Sequence, residues 1–263
     1  MKQTDPSPDE RPSVRSRILT MPKGGASMDE YEDAAAVQEG KWPVRAAVAD
    51  GATESVFAES WAEILAEGLS SIPATPEALV GALPDWQTDW TEARADRTDP
   101  LPWYGAAKAR EGAFSTLLGL ELRRDGRWRA VSVGDGLLLH LRGDALRRTW
   151  PHTSPDGFTS RPVLLPSRSD RPHPAPEECW ATTGHWQGGD AFLLVTDAVG
   201  AWLLRAQQQE SPVDDLPAPA AARTWSSDAF RAAVTEARAE GHLRNDDSTL
   251  LVLELEESLD PGG

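Results

Sequence analysis

The sequence predicts an α+β domain built on antiparallel sheet, and three observations carry that reading. Strand-like apolar runs follow one another between residues 114 and 141, with the turn dipeptide Asp125-Gly126 between the first two. Segments with apolar residues at helical spacing stand before and after that block. The chain has 263 residues, 40% of them hydrophobic, which suits one sizeable domain with its own core.

In chain order, residues 1–20 are rich in Pro, Ser and charge and are expected to form a flexible lead. Val44-Arg-Ala-Ala-Val-Ala-Asp50 reads as a strand. Glu54 to Leu69 sets Phe57, Trp61, Ile64, Leu65 and Leu69 on one side at helical spacing, with Thr53 as N-cap, so this helix should cover a sheet face. Pro84 to Pro102 reads as an insertion whose Trp86 and Trp90, one helical turn apart, pack onto the body or mark a partner surface. A second helix is expected from Trp103 to about Gly112, leading into strands Phe114–Leu122, Trp128–Val133 and Leu137–Leu141. Pro151 to Glu178 is dense in Pro, Ser, Arg and Asp and reads either as a lid or as a solvated connector. Its Arg161, Arg168 and Arg171 serve there as phosphoprotein attractors or simply as surface charge. Phe192 to Thr196 is a strand, Ser227 to Glu240 a helix ended by Gly241, and Thr249 opens the last strand. With residues 258–263 as a tail, the single domain is expected to span 21–257. The eleven tryptophans have no repeating period and are read as core and edge packing.

Function is read from four aspartates, each beside a strand-like run: Asp50 after Val44-Arg-Ala-Ala-Val-Ala, Asp135 after Val131-Ser-Val-Gly, Asp197 after Phe192-Leu-Leu-Val-Thr, and Asp246 ahead of Thr249-Leu-Leu-Val-Leu. Any one of them alone reads as a turn residue bonding its own backbone. As a set they read differently. Carboxylates gathered at several strand ends cannot all stay ionised without countercharge, so the arrangement is stable mainly with divalent cations between them. Hard cations prefer carboxylate, carbonyl and water, and the chain offers one Cys and five His residues without zinc-type spacing.

The motif order resembles that of the metal-dependent serine/threonine protein phosphatases of the PPM type, also called type 2C, in their bacterial form. Glu32-Asp33-Ala34, Ala49-Asp50-Gly51, Gly112-Ala-Phe-Ser-Thr-Leu-Leu, Val133-Gly134-Asp135, Leu194-Val-Thr-Asp197 and Asn245-Asp246-Asp247-Ser-Thr are similar to the family's successive motifs, from about Met21 to Leu255. The resemblance implies two packed, mainly antiparallel sheets flanked by helices, a four-layer α-β-β-α fold. It implies two Mn2+ or Mg2+ ions: Asp50 bridging them, the Gly51 carbonyl on one, Asp197 and Asp246 completing that side, and Glu32 supporting the other directly or through water. Asp135 with Asp197 would hold a weaker third ion. Two such ions activate water for in-line displacement, so no protein nucleophile is required. The chain departs from the family at Ala52, where animal members carry a His, and at Met28, where many members carry an Arg that grips phosphate. Lys23 is the nearest basic substitute for that Arg. Thr196-Asp197-Ala198 and Asp246-Asp247 are further variants of family motifs.

A formal charge of -16 argues against nonspecific nucleic-acid or anionic-membrane binding. The single Cys forms no internal disulfide, and neither a secretion signal nor a membrane-length apolar run is visible. A cytoplasmic monomer is expected, acting on a phosphorylated protein, with a Ser/Thr kinase or its target as partner. The alternatives are a catalytically silent module that binds phosphoproteins or senses metal, and hydrolysis of a small phosphorylated metabolite at the same site.

Overall fold

Two five-stranded antiparallel sheets pack against each other, and helices cover their outer faces, in the computed structural model, which describes residues 12–52, 57–95, 111–158, 162–208 and 219–256. The strands are β1 (Val14–Met21), β2 (Asp33–Gln38), β3 (Val44–Asp50), β4 (Phe114–Ser115), β5 (Leu117–Leu122), β6 (Arg127–Val133), β7 (Leu137–Arg142), β8 (Ala145–Trp150), β9 (Leu165–Pro166), β10 (Trp180–His185), β11 (Asp190–Val195) and β12 (Ser248–Leu255). The helices are α1 (Ala58–Ser71), α2 (Pro76–Ala95), α3 (Asp197–Gln208), the single turn α4 (Pro219–Ala222) and α5 (Ser227–Ala239). One sheet runs β1-β12-β11-β7-β8, the other β10-β6-β5-β3-β2, and β4 pairs separately with β9. This is the expected four-layer architecture.

Side-chain alternation explains the layers. In β11, Phe192 and Leu194 point to the inter-sheet core while Ala191, Leu193 and Val195 face α3 and α5. In β3, Val44, Ala46 and Val48 point inward and Ala47 and Ala49 meet α1. Because both faces of the central strands are covered, these strands read as continuous apolar runs rather than as alternating ones.

Three expectations change. The lead ends sooner than residue 20, because β1 pairs with β12 along its whole length, from Val14 opposite Leu255 to Met21 opposite Ser248. Its arginines sit on an edge strand and pair outward, Arg17 with Glu254 at 2.9 Å, so a pairing pattern looked like a charged leader. The stretch read as an insertion from Pro84 belongs to α2, which continues through Pro84. Leu79, Leu83, Trp86 and Trp90 recur at helical spacing and are all buried, so packing holds the helix past the ring that would otherwise interrupt it. Trp86 and Trp90 therefore belong to the body. Lastly, part of the Pro151–Glu178 stretch is structural: Leu165 and Pro166 form β9, and their carbonyls accept from Trp61 Nε1 at 2.9 Å and Gln87 Nε2 at 3.0 Å. There Arg168 pairs with Asp170 at 2.6 Å. Thr53, Arg161, most of the expected 103–112 helix and the 258–263 tail lie outside the described residues. None of the described helices is long and apolar enough to cross a membrane.

The α1/α2 contact depends on Gly68, where a Cβ would come within 2.3 Å of the Trp86 indole. A rigid buried ring cannot yield as a flexible side chain does. Gly68→Ala is expected to lower the unfolding free energy by about 1–3 kcal/mol despite alanine's better helix propensity. Chemical denaturation checks this, and unchanged stability would mean that the two helices separate at little cost.

Candidate metal centre

Strand direction brings the four aspartates to one end of the sandwich. β6 runs parallel to β3 because β5 lies antiparallel between them, so Asp50 at the end of β3 and Asp135 just past β6 share an end. In the other sheet, Val195 lies opposite both Leu137 and Leu250, which puts Asp197, just after β11, beside the start of β7 and the Asp246 loop before β12. Asp33 opens β2 directly opposite Asp50.

Each position has a local cause. The Asp50 backbone is held by Thr116, whose N–H donates to the Asp50 carbonyl at 2.9 Å while its hydroxyl accepts from the Asp50 N–H at 3.3 Å. Gly51 donates its N–H to the Glu32 carbonyl at 3.2 Å, and a Cβ there would stand 2.6 Å from that oxygen. Gly134 has φ +98°, and a Cβ would meet the Thr116 side chain at 2.6 Å. Only glycine makes the turn that presents Asp135.

Two further carboxylates lock the site's frame. Asp33, buried between the sheets, accepts from Thr249 Oγ1 at 2.7 Å and Thr196 Oγ1 at 3.0 Å, both at strand ends of the opposite sheet. Asp247 accepts the Lys23 N–H at 2.7 Å on one oxygen and the Glu32 N–H at 2.8 Å on the other. Both of its oxygens are used, which an asparagine could not reproduce because only one of its terminal atoms accepts. Arg238 of α5 reaches across to the Pro22 carbonyl at 2.7 Å and the Asp246 carbonyl at 2.5 Å. The segment from Pro22 to Glu32 and the loop before β12 are thus a single hydrogen-bonded unit.

The electrostatics are those of uncompensated negative charge. Burial, followed by the charges of Asp33, Asp197, Asp246 and Asp135, holds the Asp50 carboxyl well above the usual range. Burial and then the Asp197 charge raise Asp135 to about 7. Asp135 is 3% exposed, and neither of its carboxylate oxygens has a hydrogen-bond partner. Burial raises Asp33 to about 8 against the bonds from the two threonines, with Asp247 and Asp197 adding repulsion. Asp197 is also raised by burial, although Arg244 pulls the other way: Arg244 Nη2 lies 2.5 Å from Asp197 Oδ2 and 2.8 Å from Asp246 Oδ2.

The sequence-predicted residues Asp50, Gly51, Asp135, Asp197 and Asp246 are therefore neighbours. Glu32 stands beside them, its carboxylate 2.7 Å from Lys23 Nζ, and this contact with the nearby acidic charge holds Lys23 above its ordinary range although burial alone would lower it. Met28 is exposed on a short turn. Asp33, Asp247 and Arg244 were not assigned roles from sequence. The pair Glu32-Asp33 was visible, and a basic residue two positions before Asp246 was the available signal for Arg244.

Among the described residues, no three acidic, His or Cys side chains converge as a ready-made metal cage. The donor set nonetheless fits a hard divalent ion: oxygen ligands only, mutual repulsion, and in Asp135 two buried oxygens without a partner.

These shifts set a pH dependence. In the unfolded chain both Asp33 and Asp135 ionise near 3.8, whereas in the folded protein they ionise near 8 and 7. The folded state keeps protons that the unfolded state has released, so stability falls as pH rises through that interval. The melting temperature of chelator-treated protein is expected to be higher just below pH 7 than above pH 8, and Mn2+ should flatten the difference. An equally steep dependence in Mn2+ would show that the charge is relieved elsewhere.

No protein-family model matches the sequence, and no curated protein matches it. Solved structures do match its fold. PppA, a key regulatory component of T6SS in Pseudomonas aeruginosa, superposes with a TM-score of 0.55 at 19% identity over 92% of this chain and 98% of that one. The catalytic domain of the serine/threonine protein phosphatase PstP, solved with two manganese ions, gives 0.55 at 17% identity over 94% and 100%. RsbX in complex with magnesium gives 0.51 at 15% identity over 97% and 100%. At such identities the likeness carries architecture, and the architecture is distinctive: this chain has the fold of the bacterial PPM-type, or type 2C, phosphatases.

Proposed function

We propose that the chain is a metal-dependent phosphoprotein phosphatase that hydrolyses phosphoserine or phosphothreonine. The observation that carries the reading is that Asp135, Asp197 and Asp246, from both sheets, stand near enough to Asp50 for their charges to act on it, a repulsion that the protein leaves largely unrelieved. The fold shared with PstP, a serine/threonine phosphatase solved with manganese, supports it.

In this reading Asp50, the Gly51 carbonyl, Asp197 and Asp246 hold Mn2+ or Mg2+, Glu32 supports the second ion, and Asp135 with Asp197 holds a weaker third. When bound, such ions activate a water and offset charge on the phosphoryl group. The chain's own part is positional. Thr116 and Gly51 fix the Asp50 backbone, the Gly134 turn aims Asp135, and the bonds from Thr196 and Thr249 to Asp33 keep the two sheets in register at this end. Ala52 supplies no proton to a leaving group, and general-acid catalysis is assigned to no side chain. A phosphorylated protein is the substrate, a Ser/Thr kinase or its target the partner, and the cytoplasm the place of action.

Met28 and Lys23 favour a second reading. Met28 is apolar and exposed where the resemblance would place a phosphate-gripping Arg, and Lys23 is committed to Glu32. A module that binds a phosphorylated partner without turning it over would retain such features.

Phosphate release from a phosphothreonine peptide, measured in Mn2+, in Mg2+ and in chelator, separates the two. Asp50→Asn, Asp197→Asn and Asp246→Asn are each expected to lower release at least about 100-fold while remaining folded. Wild-type-like release from any of them would sink that ligand assignment, and peptide binding without release in wild type would favour the silent module. Asp135→Asn is expected to act more mildly on release and to raise the melting temperature of the metal-free protein, by about 2–4 °C for each kcal/mol of repulsion removed.

A further inference from the structure

Among the described residues, Lys23, Arg238 and Arg244 are basic side chains bonded at this end of the molecule, and the first two are committed. Lys23 Nζ sits on Glu32 at 2.7 Å. Arg238 is partly buried and spends its guanidinium on the Pro22 and Asp246 carbonyls and on the Ser248 hydroxyl at 3.0 Å. Arg244 differs from both. Its side chain is 56% exposed, and one nitrogen, Nη2, bridges Asp197 and Asp246. These are two of the carboxylates assigned above to a divalent ion. A guanidinium and a divalent cation cannot both occupy the space between the same two oxygens.

We propose that Arg244 is an internal counter-cation that holds the Asp197–Asp246 pair when metal is scarce and must be displaced for metal to bind. The inference rests on reading this end as a metal centre. Several features fit that role. Arg244 reaches Asp246 from only two residues away, within the same loop, so it can leave without disturbing a strand. Its exposure gives the released side chain open solvent to enter. Arginine does not lose its charge at any working pH, so the competition is one of position and not of protonation. Of the carboxylates that it bridges, Asp197 opens α3 just after β11 and Asp246 lies in the loop before β12, places that Asp33, Asp247 and Arg238 already fix, so releasing the guanidinium need not unmake the site.

A position that is open for only a fraction of the time has its apparent affinity reduced by that fraction, so an arginine engaged nine-tenths of the time weakens metal binding about tenfold. Removing it should have two opposite effects. The site should take metal more readily, and the metal-free protein should become less stable because Asp197 and Asp246 lose the cation that bridges them. An arginine that merely braced a metal-loaded site would weaken metal binding on removal.

Calorimetric titration of Mn2+ into wild type, Arg244→Gln and Arg244→Lys, beside melting curves in chelator, tests the proposal without any activity measurement. Arg244→Gln is expected to bind Mn2+ about tenfold more tightly than wild type and to melt lower in chelator, with Arg244→Lys between the two. If wild type and Arg244→Gln bind Mn2+ equally, or the variant binds more weakly, Arg244 is no competitor and the proposal falls while the metal centre stands. If neither binds Mn2+, the proposal and the metal reading fall together. Should the Gln variant fold poorly even in Mn2+, the Lys variant decides: affinity at or below that of wild type overturns the idea.

Discussion

Everything at the working end of this protein answers to one constraint: several carboxylates are buried together with too little positive charge among them. Strand ends from two sheets deliver them, and Arg244 bridges two of them, Asp197 and Asp246. Such an arrangement would push the sheets apart if it were not fastened by groups that do no chemistry. Asp33 is the principal fastener, a carboxylate from one sheet gripped by two hydroxyls from the other. Asp247 is the second, joining two backbone N–H groups from the segment ahead of β2. Carboxylates therefore play two opposed parts within a few residues of each other, some repelling and some binding the frame that contains the repulsion.

β11 shows that the repulsion is local and not a general property of buried acid in this fold. At its start, Asp190 is fully buried, yet it accepts from Arg142 at 2.8 and 3.0 Å, from His140 at 2.9 Å and from the Gln187 N–H at 3.0 Å. Burial alone would raise its carboxyl, but those bonds outweigh burial and hold it below the ordinary range. Just past the other end of the same strand, Asp197 is raised. The chain thus has the means to satisfy a buried carboxylate and uses them where the group is structural. Among the described residues, the Asp135 carboxylate oxygens have no comparable set of bonds from other side chains, and burial and the Asp197 charge hold that carboxyl at about 7.

How much of this could be read from sequence depended on whether a signal was local. The central strands were legible because they are apolar on both faces, and the aspartate quartet because each member stands beside such a strand. β1 was hidden by its arginines, since an edge strand that pairs charges outward has the composition of a leader. α2 was hidden by Pro84, whose effect on the helix is overridden by four buried side chains that only the tertiary fold reveals. Within the Glu32-Asp33 pair, register decides the roles. Neighbouring residues on a strand face opposite ways, so the residue opposite Asp50 turns inward to the threonines while the preceding one meets Lys23. No spacing rule in the sequence carries that information.

The pairing of β1 with β12 has a consequence for how the protein comes into being. Residue 14 lies opposite residue 255, and Lys23 and Glu32 are tied to Asp247, so the site's frame is closed by contacts between the two extremes of the described chain. Such contacts carry the largest loop-closure entropy, and they need strands that the ribosome delivers at very different times. A ribosome-bound chain that has already made both helical layers and most of both sheets still lacks the strand that sets Asp246 in place. The site's frame would therefore be open in any copy that lacks β12, and loss of β1 or β12 would undo it without touching a single proposed ligand.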